Sequence, residues 1–267
     1  MGGNVFPNTD VVHIDDIPKI IDIIREYGLN ITVDDLLGSA GKKQISGDID
    51  VAIDENRYNL NDLHEILKRG PFDVKKFDGL NMISMAVPIK DKYVQVDLIT
   101  GNYKWMKFAM FSPSENESSY KGLYRTEMIR ASLSSLGPFK IDNDGSLLAK
   151  ISPIMYLTDG VHLRYRMRPI GRYGNRLKGI KNVSKEEFEL NFPNLTWDGA
   201  TLPSYDPLYV LRMVFDVNTI EECNTAESVH NLISRLSDDR INLIQTIYRS
   251  ILVNKGVRIF EELMWNS

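Results

Sequence analysis

The chain has 267 residues, 43% of them hydrophobic and 25% charged, with a formal net charge of −4, which is ample for one large or two modest folded domains. A single cysteine, Cys223, excludes an internal disulfide framework and fits a reducing cytosol, and His13, His64, His162 and His230 are scattered without the Cys/His spacing of a zinc site. No run of about 18 apolar residues exists, and the start MGGNVFPNTD lacks the charged and apolar stretches of a signal peptide, so a cytoplasmic chain with no membrane span is expected.

Ile17, Ile20, Ile21, Ile24 and Tyr27 recur at helical spacing, which predicts an amphipathic helix from about Asp16 to Tyr27, capped by Asp15 or Asp16 with Pro18 in its first turn. The run GSAGKKQISGDID follows, from Gly38 to Asp50. Gly38 and Ser39 come after the apolar pair Leu36–Leu37; small residues there let backbone N–H groups approach an anion, and Ser39 adds a hydroxyl donor. Lys42 and Lys43 are within reach of a triphosphate tail. Gly41-Lys42-Lys43 lacks the upstream glycine and the following Ser/Thr of a Walker A loop, so that reading is set aside.

The end of the run reads as a β-strand. Side chains alternate along it, so Asp48 and Asp50 share one face while Ile49, Val51 and Ile53 enter a core on the other. The two aspartates stand about 7 Å apart along the strand and repel one another unless a cation lies between them. Hard oxygen ligands on a short stretch suit Mg²⁺, which takes one or two protein carboxylates and completes its shell with water and phosphates. Asp54 falls on the same face but at the strand end, where it is expected to be solvated. Leu60, Leu63 and Leu67 then predict a helix closed by Gly70-Pro71. Met82 to Pro88 and Tyr93 to Ile99 read as two strands joined by the Lys90-Asp91-Lys92 turn, with Val94, Val96 and Leu98 on one face and Tyr93, Gln95 and Asp97 on the other. Asp97 is an acid inside an apolar strand, where acids are rare.

Gly38-Ser39, Asp48-Ile49-Asp50 and Asp97 together make the sequence resemble the DNA polymerase β-like nucleotidyltransferase superfamily, whose members share a Gly-Ser turn, a D-h-D pair (h apolar) and a third acid on a later strand. These motifs span roughly Leu36 to Ile99, and the closest look is that of RNA-terminal or phage-type members. The resemblance implies a palm-like mixed sheet with helices as catalytic core over residues 1–111 and does not speak for the C-terminal half; there helical patterns predict a mostly helical nucleotide- and acceptor-binding domain over 112–267, which makes the whole an α+β fold. The resemblance further implies an enzyme in which Asp48, Asp50 and Asp97 bind two Mg²⁺ ions, with Mn²⁺ as a substitute. A nucleoside monophosphate passes from an NTP such as ATP to an acceptor hydroxyl, releasing pyrophosphate. Gly38, Ser39 and Lys42 would contact the phosphates, and Lys121 and Arg125, read as one helical turn apart, would contact the nucleotide.

From Ser112 the polar stretch SPSENESS reads as an exposed linker, and helical patterns follow. Tyr120 to Leu136 is one helix; Asp206-Pro207 caps a second carrying Leu208, Leu211 and Phe215; Val229, Leu232, Ile233 and Leu236 mark a third; Ile241, Ile244, Tyr248 and Ile251 a fourth, before Gly256. Between Gly160 and Lys185 there are eight Lys/Arg and no Asp/Glu. Arg164, Arg166 and Arg168 share a face if that part is a strand, Arg172 and Arg176 continue the stripe, and Tyr165 and Tyr173 are interleaved for base stacking. The stripe points to an RNA acceptor, such as a tRNA-like 3′ end. Two other readings stand beside it: the same chemistry on a protein or small-molecule acceptor, including toxin-type modification, and a non-catalytic RNA-binding module on the same fold.

Overall fold

The computed structural model describes residues 5–136, 139–143, 147–169 and 204–265. The chain divides into two compact units, at Gly122–Leu123. The division falls later than the expected 111–112 because the segment after Met110 stays tied to the first unit. Gly38 N–H donates to the Met110 carbonyl, and Lys42 Nζ donates to the Ser112 carbonyl at 2.5 Å.

The first unit runs β1 (Thr9–Asp10), β2 (Val12–His13), α1 (Ile17–Arg25), β3 (Ile45–Ser46), β4 (Ile49–Asp54), α2 (Leu60–Leu67), β5 (Asp73–Phe77), β6 (Met82–Ile89), β7 (Lys92–Gly101) and α3 (Tyr103–Ala109). Strand β7 is the spine of a five-stranded mixed sheet. One of its edges pairs antiparallel with β6, which pairs in turn with β5. The other edge is shared: β1 lies parallel to it at Tyr93–Val94, and β4 lies parallel along Val96–Gly101. Strands β2 and β3 form a separate antiparallel pair. The unit is thus a mixed sheet with helices, an α+β arrangement.

Period-two alternation decides which side of the sheet is greasy. Ile49, Val51 and Ile53 of β4, Val94, Val96 and Leu98 of β7, and Ile83, Met85 and Val87 of β6 are all buried in one core. Ile17, Ile20, Ile21 and Ile24 of α1 and Leu63 and Leu67 of α2 close it from above. Each such side chain contributes about 2 kcal/mol on burial. A one-residue slip of β4 against β7 would turn its whole apolar set out of this core, so the register is held by packing.

Helix α1 occupies the predicted segment but is entered differently. A 3₁₀ turn at Ile14–Asp16 precedes it, capped by His13, and Asp16 makes no side-chain cap bond. Its carboxylate is buried instead and pairs with Lys90 Nζ at 2.6 Å, reaching the β6–β7 turn. Helix α2 starts at Asn59, whose Oδ1 accepts from the amides of Asn61 and Asp62. The β6–β7 hairpin turns through Lys90 at φ +56.

The second unit holds α4 (Gly122–Ser134), β8 (Phe139–Asn143), β9 (Leu147–Met155), β10 (Val161–Pro169), α5 (Pro207–Arg212), α6 (Ala226–Ile233) and α7 (Asp238–Asn254). The expectation of a mostly helical unit is corrected by the antiparallel sheet β10-β9-β8. The predicted helices stand beside it: Asp206 Oδ1 caps α5 by accepting from the amides of Leu208 and Tyr209, α6 buries Val229, Leu232 and Ile233, and α7 buries Ile244, Tyr248 and Leu252. Helix α4 is buried on nearly all sides, its polar residues Arg125, Thr126, Glu127 and Ser132 included. The buried Glu127 carboxylate meets Arg130 at 3.0 Å and Lys255 at 3.2 Å. Among the described residues no helix is long and apolar enough to cross a membrane.

Candidate metal centre

The face of the sheet opposite the main core carries the acids. In the parallel register of β4 on β7, Asp50 lies directly opposite Asp97, and Asp48 stands just before β4. Ligand oxygens of Asp48, Asp50 and Asp97 all lie within 4.8 Å of one another. Asp97 is buried, and Asp48 and Asp50 are partly exposed. The cluster is bordered by a small apolar group on the same face: Leu37, Ala52 and Ile99, with Met106 of α3 packed over them.

Three carboxylates this close cannot all ionise freely. Burial, then the neighbouring charges of Asp48 and Asp97, push the Asp50 carboxyl up to about 7. A cation among the three removes that penalty, and an all-oxygen donor set suits a hard divalent ion, so the triad can hold a metal. Asp97 is oriented from outside the cluster, since Gln95 Nε2 donates to both of its carboxylate oxygens at 3.0 Å.

The Gly-Ser turn sits against the acids. Leu36–Gly38 runs alongside β4, with Leu37 N–H donating to the Asp50 carbonyl at 2.8 Å. Gly38 has φ +61, and a Cβ there would lie 3.4 Å from Asp50 Oδ2, so glycine supplies both the left-handed backbone and the open space beside the carboxylate. Ser39 opens the following turn, its carbonyl accepting from Lys42 N–H at 3.1 Å, with Gly41 at φ +75 within it. Lys42 is exposed; its ammonium donates to the Ser112 carbonyl and lies 4.0 Å from the centre of the Phe111 ring. In these positions it braces the loop.

Beyond Asp50 the same strand face continues into a cleft lined by Asp35, Ala52, Asp54, Arg57, Tyr58 and Tyr103. Asp54 closes a turn there, accepting from the amide and side chain of Asn56. Tyr103 donates to Asp35 at 2.8 Å, and burial together with that carboxylate pushes its hydroxyl up to about 12.

Lys121 is exposed and lies ahead of α4, while Arg125 belongs to the second unit, fully buried, with Nε donating to the Cys223 carbonyl at 2.5 Å. The pair does not share a helix face, because α4 starts only at Gly122, where a Cβ would overlap the Phe111 carbonyl. Burial lowers the Arg125 guanidinium to about 10 and marks it as a core group. Arg164, Arg166 and Arg168 occupy alternate positions of β10, opposite Ser152, Lys150 and Leu148 of β9. Lys150 is also opposite Lys140 of β8. Arg172, Arg176 and Tyr173 lie outside the described residues. Gln95 was missed as a site residue, although its place two residues before Asp97 on one strand face was the signal. No protein-family model matches the chain, and no curated protein matches it in sequence.

Proposed function

We propose that the chain is a magnesium-dependent nucleotidyltransferase with a palm-like catalytic core, moving a nucleoside monophosphate from an NTP to the 3′ hydroxyl of an RNA in a reducing cytoplasm. The observation that carries this reading is the in-register pairing of Asp50 with Asp97, which with Asp48 brings three carboxylates within 4.8 Å beside the Gly38–Ser39 turn. Bound by these acids, two divalent ions would neutralise charge on the attacking and leaving oxygens of an in-line displacement at phosphorus.

The chain's own residues have separate tasks. Asp48 and Asp50, at the start of β4, would hold the ions. Asp97, braced by Gln95, would hold the ion on the acceptor side and help take the proton that the acceptor hydroxyl loses. Gly38 keeps the space next to Asp50 Oδ2 clear for the nucleotide's phosphates, with the Ser39 hydroxyl as a donor to them. The acceptor oxygen bonds to the α-phosphorus as the bond to the β-phosphate's bridging oxygen breaks, and pyrophosphate leaves.

RNA is favoured as acceptor by the arrangement of cations in the second unit. Arg166, Lys150 and Lys140 share one cross-strand row, with Arg164 and Arg168 at flanking alternate positions. A run of cationic residue types in one strand register suits a polyanionic partner. Incubation with labelled NTPs, Mg²⁺ and total RNA labels RNA, and Asp48→Ala or Asp50→Ala abolishes the label. Labelling that survives these changes refutes the site, and label on protein with none on RNA moves the acceptor to a protein side chain. Running the assay with each NTP separately identifies the base transferred.

A further inference from the structure

Gln95 is 1% exposed and connects two parts of the molecule that are far apart in sequence. Its amide orientation is decided by chemistry. The Val5 backbone N–H, which can only donate, is 2.9 Å from Gln95 Oε1, so Nε2 must face Asp97, 3.0 Å from each carboxylate oxygen. A carboxylate oxygen has about two lone-pair sites. One donor engaging both oxygens from the Gln95 side centres the group and leaves its remaining lone pairs for a cation shared with Asp48 and Asp50.

Val5 is itself held. Lys75 Nζ on β5 donates to the Val5 carbonyl at 2.8 Å and lies 4.8 Å from the centre of the Phe6 ring. Phe6 is buried, and its carbonyl accepts from Thr9 Oγ1 at 3.0 Å, just as the chain enters β1. A strap of chain therefore crosses from β1 toward β5 and fixes, through one glutamine, the orientation of an acid on the central strand.

We propose that Gln95 is a positioning residue for Asp97 and that the Val5–Phe6 strap sets its position, so that metal affinity depends on an N-terminal segment that supplies no ligand. This rests on the reading of Asp48, Asp50 and Asp97 as a metal centre. Groups that orient a metal's ligands by hydrogen bonds change affinity by about 10- to 100-fold when removed.

The test is Mn²⁺ binding to the full chain, followed by loss of the free-ion electron paramagnetic resonance signal, with thermal unfolding in chelator as a separate measure of stability. Gln95→Met keeps the side-chain length without the amide and weakens Mn²⁺ binding about 10- to 100-fold. Lys75→Met loosens the strap from an exposed position without touching Asp97 and gives a smaller loss in the same direction, with unfolding in chelator little changed. Should Gln95→Met not fold, Lys75→Met decides alone. Wild-type affinity in both variants, while Asp50→Ala has lost the ion, overturns the inference and leaves the metal centre standing. A wild-type chain that takes up no Mn²⁺ removes the metal centre itself.

Discussion

Asp50→Asn removes one charge from the acid cluster and should make the metal-free protein more stable while destroying its proposed activity. In the folded chain the Asp50 carboxyl is raised from an ordinary 3.8 to about 7. A raised acid contributes fully to stability below its unfolded value, and that contribution is lost as pH climbs to the folded value. The gap corresponds to about 4 kcal/mol at most, of which about 2 kcal/mol disappears between pH about 5.5 and about 8. For a chain of this size that is a fall of about 5 °C in the unfolding midpoint over the same interval. The assay is thermal unfolding in chelator at both pH values, for wild type and Asp50→Asn. Wild type is expected to lose stability on going to the higher pH, whereas the variant keeps it. Excess Mg²⁺ restores wild type at high pH and does little at low pH, where the proton occupies its place. A wild-type midpoint that is flat across this range, or an Asp50→Asn protein no more stable than wild type at pH about 8, would refute the claim that the three carboxylates strain one another.

Gly38→Ala forces a Cβ into a left-handed backbone beside Asp50 Oδ2, costing about 1–2 kcal/mol by unfolding and lowering nucleotide transfer more than the stability loss explains. Lys90→Met removes the partner of the buried Asp16 carboxylate, whose pKa the lysine holds below the ordinary 3.8. The variant should be less stable than wild type at neutral pH, and the difference should fade as pH falls through that range, as urea titrations at both ends would record. Combining Arg166→Glu with Lys150→Glu should weaken RNA binding and flatten its dependence on salt while leaving Mn²⁺ uptake unchanged; an unchanged salt slope in gel-shift titrations removes that sheet from the RNA path.

The acid cluster was legible because its signal is local: two aspartates one residue apart on a strand, and a third interrupting the apolar run of YVQVDLI. Alternation placed all three on one face, and the apolar residues between them fixed the register that brings Asp50 opposite Asp97. The main helices were legible for the same reason, through the isoleucines of α1 and the leucines of α2. What escaped is carried by contacts distant in sequence. Strands β1, β2 and β3 have two residues each, too short for any period to show. Strand β5, DVKKF, is polar because it lies outermost in the sheet. Arg125 reads as a surface cation on a helix of mixed polarity, but α4 is enclosed on nearly every side, and a buried guanidinium tied to the Cys223 carbonyl is invisible without the fold around it. Asp16 stands at the N-cap position of α1 as expected but makes no cap bond, because its carboxylate answers to Lys90, 74 residues away.

The shared edge of β7 has a consequence for solubility. With β1 covering Tyr93–Val94, β4 covering Val96–Gly101 and β6 on the other side, the central strand of the sheet offers no unpaired backbone at those positions to a second molecule. On the β6 side the outer strand is β5, and it carries Lys75 and Lys76 at its centre, charges that discourage edge-to-edge pairing between copies. Changing both lysines to valine would therefore do more than loosen the strap. It would turn the β5 border of the five-stranded sheet into a template for self-association, visible as concentration-dependent light scattering well before the protein unfolds.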